Sequence, residues 1–107
     1  MEKIVEQGLL FDFYGELLTD HQKKIYEEAI SEDLSLSELA EEYGISRQGV
    51  HDLIKRCDKI LLDYEEKLHL IEKFQKTKEI ANQICAIAIQ NSDTKIQELS
   101  MQIINEL

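Results

Sequence analysis

Apolar residues recur at steps of three and four along most of this chain, which is the spacing that one face of an α-helix requires. The first such stretch runs from about residue 2 to 17, and the second ends near residue 30. Further stripes follow over about 76–90 and after residue 93. No stretch predicts a strand. Five or six helices are therefore predicted, and the predicted fold class is all-α.

Two capping boxes mark where helices start. Thr19 with Gln22, and Ser35 with Glu38, place a hydroxyl at the N-cap and an amide or carboxylate three residues later, which satisfies two backbone N–H groups. Asp93 is the predicted cap of the last helix. The first half of the chain is thereby divided into short helices that can pack as a four-helix unit.

The run 36–55, inside a motif predicted over 34–56, has the pattern of a helix-turn-helix. Leu39 lies on the inner face of its first helix. Gly44 closes that helix, because a residue without Cβ readily adopts the left-handed conformation of a tight turn. Ser46 caps the second helix. An ordinary helix pair in a bundle is the alternative, but the spacing favours the helix-turn-helix.

Between Arg47 and Phe74 the chain has no Gly other than Gly49, no Pro and no turn cluster, so the second helix of the motif is predicted to continue far beyond a normal length. Its later part carries apolar residues at steps of three and four, the seam of a short coiled coil. We predict a four-helix unit over 1–60 and a helical extension over 61–107 that forms a homodimer. A monomer with a folded-back tail is the alternative. The predicted dimer interface is Leu61, Tyr64, Leu68 and Ile71.

Composition adds little that is specific. The 107 residues are 32% charged, with four Gly and no Pro or Trp, which favours helices in a globular protein. No apolar run is long enough to span a bilayer and no signal peptide is evident, so we expect a cytoplasmic protein without membrane insertion. Cys57 and Cys85 have no metal-site spacing and are expected to be free thiols.

The charge argues against tight nonspecific binding to DNA, because the net charge is −10 and DNA-binding surfaces are usually basic. Its distribution is uneven. Residues 1–45 carry 3 basic and 12 acidic side chains, residues 46–78 carry 8 and 6, and residues 79–107 carry 1 and 4. The one net-positive zone begins at the second helix of the motif. Weak, dimer-dependent binding to DNA stays open, as does a protein or ribonucleoprotein partner.

If that second helix enters a major groove, its polar side would make the contacts. Arg47 suits guanine and Gln48 suits adenine, because each can pair in a bidentate manner with the base edge. Asp52 opposes this pose, unless it accepts from a cytosine amine or pairs with Arg56. A solvated helix face is the alternative for all these positions. The predicted nucleic-acid-binding residues are Ser46, Arg47, Gln48, His51, Lys55, Arg56 and Lys59.

Catalytic chemistry is poorly supported. The three His residues have no partner at metal-ligand spacing, and neighbouring Glu pairs point to different sides of their helices. No Gly-rich phosphate loop and no nucleophile elbow is present in the sequence. We therefore expect no enzyme activity, no cofactor, no metal site and no small-molecule substrate.

Three runs, 9–19, 46–56 and 62–74, together resemble the YlxM family of small bacterial helix-turn-helix proteins. The resemblance covers roughly residues 4–78. Two positions depart from the family pattern inside the second helix of the motif. Gly49 stands where that pattern has a small Ala-type residue, and His51 stands where it has an aromatic residue.

The resemblance implies a first part similar to the fourth region of bacterial sigma factors, which reads promoter DNA. It also implies a regulatory role beside components of the signal recognition particle (SRP), the protein-targeting pathway, an inference by association rather than from a site. The sequence thus carries two hypotheses. One is a DNA-binding regulator, and the other is a helical module that binds a protein or ribonucleoprotein without strong DNA affinity.

Overall fold

A computed structural model describes residues 2–107, and the regular secondary structure of the described part is all helical, with no strand, as predicted. A single 3₁₀ turn, Gly15–Leu17, follows the first helix. The six α-helices are α1 Lys3–Tyr14, α2 Asp20–Ile30, α3 Leu36–Tyr43, α4 Arg47–Leu68, α5 Leu70–Gln90 and α6 Thr94–Glu106.

The predicted helix starts are confirmed. Thr19 and Ser35 each accept from the backbone N–H three residues on, and each forms the complete capping box with the side chain at that position. Ser46 Oγ accepts from the N–H of Gly49 at 2.9 Å. The Asp93 carboxylate accepts from the N–H of Ile96 at 3.1 Å. Local hydrogen bonding written in the sequence therefore sets these four boundaries.

The end of the first helix differs from the prediction. The stripe was expected to continue through Leu17, yet Leu17 is 53% exposed and Tyr14 is buried in its place. The cause is the 3₁₀ turn, whose tighter winding rotates the chain after Tyr14. Gly15 permits this turn, because a Cβ there would lie 2.9 Å from the ring of Phe11.

The core of the first part of the chain combines aliphatic side chains with two buried tyrosines whose hydroxyl groups reach carboxylates of α4. Tyr26 donates to Asp58 at 2.6 Å, and Tyr14 donates to Glu65. Gln7 also donates to Asp58, at 2.9 Å. The buried apolar residues are Leu10, Tyr14, Leu18, Ile25, Tyr26, Leu39, Val50, Cys57 and Leu61.

The chain forms two compact units, residues 1–69 and 70–107, so the division lies beyond the predicted boundary at 60/61. The reason is that α4 runs unbroken to Leu68, where His69 adopts a left-handed conformation (φ 56°) and ends it. Histidine is among the residues that enter this region more readily than most.

This break contradicts the predicted continuous seam. Its four residues divide between α4 and α5, so they do not form one coiled-coil stripe. Leu61 is fully buried within the first unit, and Tyr64 stacks on Tyr14 with ring centroids 6.0 Å apart. Ile71 is buried as well, which leaves Leu68, 45% exposed, as the one large apolar seam residue open to solvent. Dimerisation itself stays a prediction.

The second unit is a hairpin of α5 and α6 joined by the turn 91–93. Ser92 takes a left-handed conformation in that turn, with φ 54°. Small side chains lie where the helices meet: Ala81, Ala88 and Ser100 are all buried. Ser100 Oγ donates to the carbonyl of Ile96 at 2.8 Å, so its hydroxyl is satisfied within α6. Close helix approach over small residues holds this unit together.

Candidate nucleic-acid interface

The turn between α3 and α4 is built as the sequence predicts. Gly44 has φ 65° and ends α3 in the left-handed conformation, with its N–H bonded to the carbonyl of Ala40. Ile45 donates to the same carbonyl at 3.1 Å. Leu39 on α3 and Val50 on α4 are fully buried, so the inner sides of both helices are fixed in the core. The opposite side of α4 is thereby turned to solvent.

All seven residues predicted to contact nucleic acid are exposed along the first four turns of α4. None of the residues that the structure describes covers them, so a ligand could reach every one. Arg47 makes no side-chain hydrogen bond or ion pair with any residue in the range 2–107. The exposed set is Ser46, Arg47, Gln48, His51, Lys55, Arg56 and Lys59.

Two of these side chains are already engaged by one carboxylate. Gln48 Nε2 donates to Asp52 Oδ1 at 2.9 Å, and His51 Nδ1 lies 3.4 Å from the same oxygen. Asp52 therefore pairs with its neighbours on α4. Pairing with Arg56, one of the two alternatives considered from the sequence, does not occur here. To read an adenine, the Gln48 amide would first have to leave Asp52, and that exchange lowers the net gain from the base contact.

Lys59, further along α4, is also balanced by an acid. Lys59 Nζ lies 3.9 Å from Asp63 one turn on. Lys55 and Lys59 line a shallow cleft of about 480 Å³ between α1 and α4, together with Lys3 and Asp58. The Lys3 ammonium beside it lowers the pKa of Lys55, with a smaller contribution from desolvation. The field over this part of α4 is mixed rather than positive.

Lys3 is a residue that sequence reasoning missed. It lies on α1, more than fifty positions from Lys55, and joins it only because α1 packs on α4. The contacts of Asp58 were missed for the same reason. Its carboxylate accepts from Tyr26 and Gln7, which lie on two other helices. No local spacing signals either contact.

Both cysteines are free, as expected. Cys57 is fully buried on α4, and this burial, with a contribution from Asp58, raises the pKa of its thiol to about 11. Cys85 on α5 is half-buried. Within residues 2–107, no group of three or more His, Cys, Asp or Glu side chains is placed to hold a metal ion. The helices of that range all lack the combination of length and hydrophobicity that a membrane-spanning segment needs.

The sequence of this chain is similar to a known protein family. A family model described as "Putative helix-turn-helix protein, YlxM / p13 like" (UPF0122) matches residues 1–102. The likeness therefore reaches into α6, beyond the expected limit near residue 78.

Individual relatives agree. The chain is 48% identical over 88 residues to the UPF0122 protein YlxM of Bacillus subtilis, covering 82% of this chain and 80% of that protein. It is 46% identical over 84 residues to a UPF0122 protein of Halalkalibacterium halodurans, covering 78% and 77%. It is 51% identical over 83 residues to one from Clostridium botulinum, covering 77% and 76%.

Proposed function

The chain belongs to the UPF0122 family of YlxM-like helix-turn-helix proteins, and from that membership we propose that it is a DNA-binding regulator that reads a duplex with the start of α4. Its place would be the SRP protein-targeting pathway, as the likeness to YlxM proteins implies. The two parts of this proposal have different support, since the first rests on geometry and the second on association.

One observation carries the DNA-binding part. Arg47 lies at the first position of α4, directly after the left-handed turn, and it is exposed and without a side-chain partner among the described residues. In helix-turn-helix proteins the N-terminal residues of the second helix contact base edges. A guanidinium in this position can donate to O6 and N7 of a guanine.

The proposed affinity of a single copy is weak. Phosphate contacts supply most of the affinity of DNA-binding proteins, and here Asp52 and Asp63 stand among the cations of α4. The first unit, residues 1–69, carries 8 basic and 17 acidic side chains, a net charge of −9. Two copies on two half-sites would multiply their separate affinities, which is the usual remedy for a weak module.

Selection of bound sequences from random duplexes at low salt tests this proposal. We expect a preferred site, and we expect Arg47→Ala to reduce affinity for it by about 1–3 kcal/mol while binding to other sequences changes less. Lys55→Ala should weaken binding to all sequences alike and reduce the salt dependence by about one charge. Lys67→Ala, at the far end of α4, is the matched control. A folded protein with no preferred site contradicts the proposal.

The acidic first unit favours a second candidate, a module that binds a basic protein or a ribonucleoprotein of the targeting pathway. Its net charge of −9 suits a basic partner better than a nucleic-acid backbone. Binding of purified protein to the protein and RNA components of the signal recognition particle, measured beside the duplexes, separates the two candidates. Arg47→Ala should leave this binding unchanged, and absence of binding to either component would count against it.

A further inference from the structure

The hairpin of α5 and α6 exposes large apolar side chains in an ordered pattern. On α5, Ile80, Ile84 and Ile87 follow at steps of four and three and so form one stripe along the helix. Each is between 38% and 56% exposed. Viewed from the start of α5, this stripe lies about 80–90° counter-clockwise from the buried line of Ala81 and Ala88, because successive residues advance by about 100°.

A second stripe runs along α6. Its members, Ile96, Leu99, Ile103 and Leu107, are between 42% and 47% exposed. It is displaced in the same sense, and by a similar angle, from the inner line that includes Ser100. The short turn makes α5 and α6 antiparallel neighbours, so rotations of the same sense bring both stripes to one side of the hairpin. We call these seven residues the apolar face.

The opposite side of the hairpin is different. It carries two large exposed apolar residues, Ile89 on α5 and Met101 on α6, among polar neighbours. Ile89 is 57% exposed and Met101 45% exposed, against 56% for Ile87 and 47% for Leu99. Ile89 lies two positions after Ile87, and Met101 lies two positions after Leu99, so each is about 160° around the helix from its counterpart. The chain therefore offers a matched control for each stripe.

The size of the apolar face calls for a partner. Its side chains together expose on the order of 600 Å², more than most soluble monomers leave in one patch and most of the ~800 Å² that each partner contributes to a standard interface. A two-helix unit of this length has no third element of its own to cover such a face, since the remaining residues of the hairpin lie on the polar side or between the helices.

We propose that the apolar face is the contact surface for a second copy of this chain, with two hairpins packing as a four-helix bundle. This places the homodimer contact on α5 and α6 rather than on the seam predicted from the sequence. The inference does not rest on DNA binding, so it stands or falls separately from the proposed function.

Charge favours a second copy as the occupant. Residues 70–107 carry 4 basic and 5 acidic side chains, a net charge of −1, whereas residues 1–69 carry −9. Two hairpins can therefore meet without strong net repulsion, which two copies of the first unit could not. A strongly charged partner would find nothing complementary on this face.

The edges of the face are self-complementary as well. Lys76 flanks it on α5 and Glu106 flanks it on α6, both near the open end of the hairpin. In a two-fold arrangement with both turns at the same end, α5 of one copy faces α6 of the other. Each Lys76 then lies level with Glu106 of the second copy, and every helix has antiparallel neighbours.

Sedimentation analysis of the full chain across the micromolar range tests the proposal. We expect a dimer for the unmodified protein and a monomer for the double variant Ile87→Lys with Leu99→Lys. Four large side chains per dimer would otherwise be buried, so self-association should weaken at least about a hundredfold. The control, Ile89→Lys with Met101→Lys, adds the same charges at matched exposure and should remain a dimer.

A second measurement guards against a variant that fails to fold. If dimerisation is coupled to folding, the Tm of the unmodified protein rises with protein concentration, and that of the face variant does not. A monomeric unmodified protein over the whole range overturns the proposal, since the face would then be covered by another occupant or left bare. So does a dimer that survives the face substitutions, or a control that dissociates equally.

Discussion

The two units of this chain differ in how much of their apolar surface they bury. The first encloses a core of large side chains, in which Ile25, Tyr26, Leu39, Val50 and Leu61 have no exposed surface, although other large apolar residues of this unit, such as Leu17 and Leu68, are exposed. In the second, the buried residues are Ile71 and three small ones, while most of its other isoleucines and leucines are exposed. Four helices packed on one another can enclose a core, but two antiparallel helices cannot.

The difference shows what an apolar stripe in a sequence does and does not reveal. The stripes of α2 and α5 look alike as patterns, yet one is covered by neighbours within the unit and the other is not. A stripe specifies which side of a helix avoids water. Whether the same chain supplies the cover depends on how many further helices the loops bring within reach.

Truncating a core side chain of the first unit should produce the largest difference in stability between the two units. Leu39→Ala removes a fully buried side chain at the α3–α4 contact, so we expect a loss of about 2–5 kcal/mol in the free energy of unfolding. Ala88→Gly, at the α5–α6 contact, should cost only about 1 kcal/mol, chiefly through helix propensity. Urea unfolding followed by circular dichroism measures both. Equal losses would mean that the hairpin has a core of the same kind.

Removing a tyrosine hydroxyl that donates to a carboxylate in the first unit should give the next largest loss of stability. Tyr26→Phe removes a buried hydroxyl that donates to the Asp58 carboxylate at 2.6 Å, and loss of a hydrogen bond to a charged group should cost about 1.5–3 kcal/mol. Tyr43→Phe is the control, because that hydroxyl donates to Glu28 at 2.9 Å in a more exposed setting and should cost less than about 1 kcal/mol. The same unfolding assay applies. A Tyr26→Phe protein as stable as the original would show that Gln7 alone satisfies Asp58.

Much of the fold could be predicted from the sequence because its signals are local. A hydroxyl three residues before an amide or carboxylate, and a glycine after an apolar turn, depend only on the nearest backbone. Thr19, Ser35, Gly44 and Ser46 accordingly do what their spacing predicts. The exposed positions of Arg47 and its neighbours follow from the same local periodicity.

What could not be predicted depends on contacts distant in sequence or on weak conformational preference. Asp58 meets Tyr26 and Gln7 only through packing of three helices. Helix α4 ends because His69 adopts a left-handed conformation, and no Gly, Asn or Pro at that point of the sequence signals this end. Since the predicted seam needed a continuous helix through that residue, the error in the helix end also removed the continuity of the seam.

The two units can also be compared at alkaline pH, because each contains one cysteine whose ionisation can affect stability. Burial raises the pKa of the Cys57 thiol to about 11, so the folded state holds the neutral thiol while the unfolded state ionises at lower pH. The stability from this group is complete below about pH 8.5 and is lost as pH rises towards 11, on the order of 1–2 kcal/mol.

We therefore expect Cys57→Ala to show a smaller alkaline decline in unfolding free energy than the unmodified protein. Cys85→Ala keeps Cys57 and should keep the full decline, which makes it the control for other titrating groups. A thiol-reactive dye should also label the half-buried Cys85 first, and Cys57 only on unfolding. Parallel declines in all three proteins would show that the Cys57 site admits water.

The smallest expected effect concerns the start of α4, where a glycine within the helix lowers its intrinsic stability. Gly49→Ala should gain up to about 1 kcal/mol in helix propensity. The new Cβ would lie 3.1 Å from Ser46 Oγ, the atom that caps the helix, so this oxygen must move by a few tenths of an ångström. Ser46 is exposed and can rotate, so we expect a net gain of about 0.5 kcal/mol.

Ser46→Ala, which removes the cap outright, should cost about 1 kcal/mol, and the double variant shows whether the two changes interact. A destabilised Gly49→Ala protein that recovers when Ser46 is also replaced would mean that the cap cannot yield. Glycine would then be required at this position by the geometry of the turn. In that case the low helix propensity at the start of α4 is a consequence of how the turn of the helix-turn-helix is closed. The exposed apolar face of the hairpin has a different cause, because no further helix within that unit covers it.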